Sequence, residues 1–119
     1  MPVNMKRIYE DKSKDDGVRI LVDRVWPRGM SKDDAKVDHW MKEVGPSSDL
    51  RKWFNHDPAK YEDFKKKYKE ELRKGDQQEA LNELKKVTKK HHKNITLLFA
   101  SKEETYNQVS VLKEILDHQ

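Results

Sequence analysis

Val18-Arg19-Ile20-Leu21-Val22-Asp23 runs directly into Arg24-Val25-Trp26-Pro27-Arg28-Gly29, and this stretch decides the fold. Ile20, Leu21 and Val22 are consecutive and apolar, the mark of a strand covered on both faces. Such strands belong to parallel sheets, whose crossover helices lie on the sheet faces. Pro27 and Gly29 then exclude regular structure, so the strand ends in a loop rich in charge. A second run of the same kind, Asn94-Ile95-Thr96-Leu97-Leu98-Phe99-Ala100, lies near the other end of the chain.

Working outward, residues 3–9 read as a first strand, followed by a charged turn that ends at Gly17. Ser31 is placed to cap a short helix, with Asp33 and Asp34 favourable to its dipole. Residues 37–43, with Trp40 and Met41, predict a short strand. Gly45-Pro46-Ser47-Ser48 is a break, after which a serine caps a short helix through residues 49–54; Trp53 and Phe54 are expected in the core. Asp57-Pro58 starts a helix with Asp as cap and Pro in the first position, and Tyr61, Phe64, Tyr68 and Leu72 share one face. Gly75 ends it. Asp76, with Glu79 as capping-box partner, is expected to start the next helix, whose stripe is Ala80, Leu81, Leu84 and Val87. Ser101 and Glu104 form another capping-box pattern before a last helix carrying Val109, Leu112, Ile115 and Leu116. The predicted fold is α/β: a small, mostly parallel sheet of three to four strands with flanking helices, one domain over residues 1–119.

Composition bounds the chemistry. The chain has 119 residues, 34% hydrophobic and 40% charged, which suits one core and leaves no room for two. The apolar residues are grouped and periodic, so the chain reads as folded. It has no cysteine, which excludes a disulfide framework, a thiolate metal site and a cysteine nucleophile and leaves sulfur transfer and thiol-phosphatase chemistry without support. No apolar run reaches membrane-spanning length, and the N-terminus lacks a signal peptide's apolar core. A cytoplasmic location is expected. No P-loop, dinucleotide fingerprint or nucleophile elbow occurs, so no cofactor is predicted. The histidines show no ligand spacing, and no metal is predicted.

Ligands of open α/β sheets sit beyond the carboxyl ends of the strands. That rule selects Asp23, Arg24, Trp26, Arg28 and Gly29 after one buried strand and Ser101 after the other, with Arg51 a further candidate. Arginine offers a planar fork of donors to an oxyanion, and glycine lets backbone N–H groups approach it. The competing reading is structural: Asp23 pairs with an arginine, Trp26 plugs the core and Ser101 caps a helix. Asn107 and Tyr106 are placed one to two turns into the last helix, where they can face the same cleft. His56-Asp57 resembles an acid–base pair, but Asp57 is better explained as a cap.

Three stretches taken together, residues 22–29, Leu50-Arg51-Lys52-Trp53-Phe54-Asn55-His56-Asp57-Pro58, and Thr96-Leu97-Leu98-Phe99-Ala100-Ser101, resemble the YeaO-like proteins, a bacterial and archaeal family of unknown function. The likeness runs in order from about Lys6 to Leu116. It implies a small α/β domain and brings no established activity, substrate or catalytic residue. Three functions stay open at this point. The first is a domain that binds or processes an anionic, phosphate-bearing small molecule at loop 23–29. The second is a nucleic-acid-binding or regulatory accessory protein using the Lys-rich helices, which is less favoured because acidic residues are interspersed among the lysines. The third is an interaction protein without chemistry. Oligomeric state is not legible, and the net charge of +4 is only a mild bias towards phosphate.

Overall fold

The computed structural model describes residues 2–103 and 105–119. Four strands, β1 (Asn4–Arg7), β2 (Val18–Leu21), β3 (His39–Trp40) and β4 (Ile95–Phe99), form one sheet in the order β1-β4-β2-β3. All pairings are parallel. Helices α1 (Lys32–Ala35), α2 (Ser48–Phe54), α3 (Tyr61–Glu71), α4 (Gly75–Lys90) and α5 (Gln108–Asp117) complete the described domain. The predicted α/β class and parallel sheet are what the chain adopts. Among the described residues, no helix is long and apolar enough to cross a membrane.

The strand order positions the site. β4 is the last strand in sequence, yet it inserts between β1 and β2. All five of its residues are buried, as its unbroken apolar run requires. Leu21 lies beside Leu98, so the carboxyl ends of β2 and β4 are neighbours and Asp23 reaches Ala100.

The two sheet faces are unequal. One carries the main core, where Ile20, Val22, Leu97 and Phe99 meet Phe54, Phe64 and Tyr68 and the stripes of α4 and α5. The other carries a small cluster of Ile8, Leu21, Ala35 and Leu98, edged by Trp26, Met30 and Val37. Further along this second face the contacts are polar. Arg19 is 1% exposed; its guanidinium donates to Asp16 Oδ2 at 2.6 Å and to the carbonyls of Ala35 and Lys36. Lys6 Nζ bonds the other Asp16 oxygen at 2.9 Å. Burial alone would raise the Asp16 carboxyl, but hydrogen bonds from the Ser13 N–H, Lys6 and Arg19 outweigh it and hold the group below its ordinary range.

Several expected starts and ends move. Ser31, Ser47 and Asp57 cap as predicted, accepting from the N–H groups of Asp34, Leu50 and Ala59. Asp57-Pro58, however, opens a 3-10 turn (Pro58–Lys60) ahead of α3. α4 begins at Gly75 with no side-chain cap, so Asp76 lies in its first turn, favourable to the dipole but not capping. α5 begins at Gln108 and is capped by Asn107, whose Oδ1 accepts from Ser110 N–H; Ser101 is well before it, and Glu104 lies outside the described residues. Phe54 is buried, but Trp53 is 38% exposed, stacked under the ammonium groups of Lys60 and Lys67 instead of in the core.

Gly17 links the polar cluster to β2 at φ 65°. A Cβ there would lie 2.2 Å from the Asn94 carbonyl oxygen. Gly17→Ala is therefore expected to combine backbone strain with a steric clash. A thermal melt should find the variant less stable than wild type by more than about 1 kcal/mol; an unchanged melting temperature would contradict this geometry.

Candidate functional site

Beyond the carboxyl ends of β2 and β4 lies a pocket of about 450 Å3. Six of the seven sequence-derived candidates line it: Asp23, Arg24, Trp26, Arg28, Arg51 and Ser101. Gly29 is not among its lining residues. Its φ is 72° and a Cβ there would meet no described atom within 4 Å, so glycine serves the turn and not a close approach by a ligand.

Asp23 sits at the junction of the two strands. Its Oδ2 accepts from the Ala100 N–H at 2.9 Å and its Oδ1 from Gln108 Nε2 at 2.8 Å. Its backbone carbonyl accepts from Trp40 Nε1. The expected pairing of Asp23 with an arginine is absent among the described residues: no guanidinium comes within salt-bridge distance of its carboxylate. Burial pushes this carboxyl above its ordinary range, opposed by the two neutral donors and by the Arg51 charge. A raised carboxyl stabilises the fold fully below the unfolded pKa of about 3.9 and loses that contribution as pH rises through the folded value. Ionised Asp23 thus works against folding at neutral pH. An asparagine would accept from Ala100 through Oδ1, and Gln108 need only turn its amide over to accept from the new NH2. Asp23→Asn should melt at or above the wild-type temperature at pH 7. A clear loss would mean that the charge itself holds the strands.

The arginines divide by what they already hold. Arg24 Nε donates to the carbonyls of Gly45 and Pro46 at 3.2 and 2.8 Å. That corner is fixed in turn by Tyr68, whose hydroxyl donates to the Val44 carbonyl, and by Gln77, which donates to Gly45. Arg24 is therefore part of the scaffold, and its terminal nitrogens bond no described residue. Arg51, on the exposed side of α2, makes one bond among the described residues, to Ser48 Oγ at 3.2 Å. The Arg28 side chain is exposed and bonds no described residue, while its carbonyl accepts from the Tyr9 hydroxyl.

Trp26 does two jobs. Its Nε1 donates to the Met30 carbonyl, closing the 26–30 turn, and its ring meets Trp40 edge-on at 5.3 Å. It edges the small core cluster and also lines the pocket. Ser101 Oγ accepts from the Glu103 N–H and its carbonyl accepts from Arg7; it caps no helix.

The sequence reading missed Tyr9, Phe54, His56 and Gln108 as lining residues. Tyr9 follows β1, so the strand-end rule could have found it. His56 is presented by two successive left-handed residues, Asn55 and itself, at φ 46° and 55°, a backbone that no local pattern announces. Asn107 lines the pocket but as the cap of α5, not from within the helix; Tyr106 precedes the helix and packs edge-on against Tyr61.

Residues 2–119 match the family described as the inactive DUF488-N3 subclade. The chain belongs to this family. It is 40% identical to the uncharacterized protein YeaO of Escherichia coli K12 over 116 residues, which is 98% of this chain and 97% of that protein. It is also 40% identical over 115 residues to an uncharacterized protein of Mycobacterium tuberculosis H37Rv and to one of Mycobacterium bovis, covering 97% of this chain and 93% of each relative. The YeaO-like resemblance is thereby established over nearly the whole length. No solved structure matches the chain.

Within the DUF488-N3 domain, then, the described lining residues of the strand-end pocket include three arginines and a single carboxylate, Asp23. Its remaining walls are largely apolar, from Val25, Trp26, Pro27, Pro46, Phe54 and Phe64.

Proposed function

We propose that this protein binds a small, phosphate-bearing anion in the strand-end pocket and holds it without turnover. The observation that carries this reading is the charge balance of the described lining residues: Arg24, Arg28 and Arg51 against Asp23 alone. A concave site with low-dielectric walls concentrates such a potential, and guanidinium groups match phosphate oxygens in pairs. The volume, about 450 Å3, falls in the range of small-molecule sites, roughly 300–1,000 Å3.

Two points favour binding over catalysis. The family is described as an inactive subclade. Ser101 Oγ, the hydroxyl nearest to a nucleophile in type, accepts from a backbone N–H and bonds no histidine or carboxylate among the described residues, whereas an activated nucleophile needs an adjacent base.

A ligand that binds only the folded state raises the melting temperature in proportion to its occupancy. Inorganic phosphate or pyrophosphate at millimolar concentration should raise it, and sodium chloride of matched ionic strength should not. Equal effects of the two salts, or none, would reject the proposal.

A further inference from the structure

Asp23 is out of place in a site built only to hold an anion. A carboxylate among three arginines repels the ligand those arginines attract. Its structural duty is the strap from β2 to Ala100 and Gln108, and both donors in that strap are uncharged. Asparagine would provide the same strap without burying a charge, which is costly when no cation is paired with it. The carboxylate must therefore serve something that asparagine would not. It has two oxygens and about four acceptor positions, of which the strap takes two. The others belong to a group that also lines the pocket.

From this we infer that the ligand is bifunctional: a phosphate ester whose carbon skeleton carries hydroxyl groups, of the sugar-phosphate or polyol-phosphate class, with a hydroxyl donating to Asp23. The inference rests on the anion-binding reading above and adds the part of the ligand that is not anionic. Arg51 and Arg28, with few commitments of their own, take the phosphate. Asp23 reads the hydroxyl, as a residue that determines specificity. Trp26 and Phe54 supply apolar wall against which the carbon skeleton packs. An amine could also donate to a carboxylate, but a cationic group would have to enter between three guanidinium groups. A neutral hydroxyl avoids that repulsion.

The test is a calorimetric titration of the full chain with three probes: inorganic phosphate, butyl phosphate and glycerol 1-phosphate. The last two are of similar size and share the phosphate, and differ in the hydroxyls. Glycerol 1-phosphate should bind wild type at least about tenfold more tightly than butyl phosphate, the usual return on a hydrogen bond to a charged group. Asp23→Asn should remove that preference while inorganic phosphate binds as well as before, or better. A preference that survives in Asp23→Asn overturns the inference. So does equal binding of the two esters by wild type, a comparison that needs no variant, and in that case the anion-binding reading stands as long as inorganic phosphate binds. Failure of all three probes to bind overturns both.

Discussion

Arg19→Ala should destabilise the protein by about 3–5 kcal/mol, the usual cost of removing one partner from a buried ion pair. Three consequences combine at this position. Among the described residues Asp16 keeps only Lys6 as a charged partner, the carbonyls of Ala35 and Lys36 lose their donors, and a long side chain that is 1% exposed leaves a void. In a domain of this size the melting temperature should fall by roughly 10–20 °C. The loss should depend on pH with a defined sign. Asp16 is held below the ordinary carboxylate range, so the stability it provides is present above the unfolded pKa of about 3.9 and disappears as pH falls through the folded value. The gap between wild type and Arg19→Ala should therefore narrow at acid pH, leaving the part due to the lost carbonyl bonds and packing. Parallel curves down to pH 2 would mean that packing, and not charge, is what Arg19 contributes.

The second large effect is on binding. Arg28→Ala and Arg51→Ala should each weaken phosphate binding by about tenfold or more, because hydrogen bonds between charged groups are worth about 1.5–3 kcal/mol. Both should melt close to wild type. Arg28 bonds no described residue through its side chain, and Arg51 gives up one exposed contact to Ser48. Arg24→Ala is the contrast: it removes the Nε donor from the Gly45 and Pro46 carbonyls and should lose stability as well as affinity. Arg28→Ala and Arg51→Ala that bind phosphate with wild-type affinity would mean that these arginines play no part in holding the anion.

The sheet was legible because the β2 and β4 runs are apolar on both faces, a pattern that few other structures tolerate. The loop at 23–29 was legible because Pro27 and Gly29 stop the strand at a charged end. What was not legible depended on distant parts of the chain. Arg19 sits in the middle of an apolar strand and reads as an interruption; Asp16 is a local partner, but the burial is completed by the Ala35 and Lys36 carbonyls and by Lys6 on β1, which bonds the other Asp16 oxygen. Asp23 reads as half of an ion pair, but β4 enters the sheet beside β2 and brings the Ala100 N–H, with Gln108 behind it. The capping-box pattern at Ser101 is local and plausible, yet Asn107, whose side chain also bonds the Glu103 carbonyl, caps α5 six residues later. Trp53 was expected in the core by residue type alone; it is instead partly exposed beneath the ammonium groups of Lys60 and Lys67, the second of them on α3.

The central claim is where the anion binds, and amide chemical shifts read that directly. Inorganic phosphate titrated into uniformly 15N-labelled protein should shift the amides of Asp23, Arg24, Trp26, Arg28, Ala100, Ser101 and Gln108 together, with one saturating affinity. Shifts spread over the lysine-rich surfaces of α3 and α4, with the strand-end amides unmoved, would contradict it.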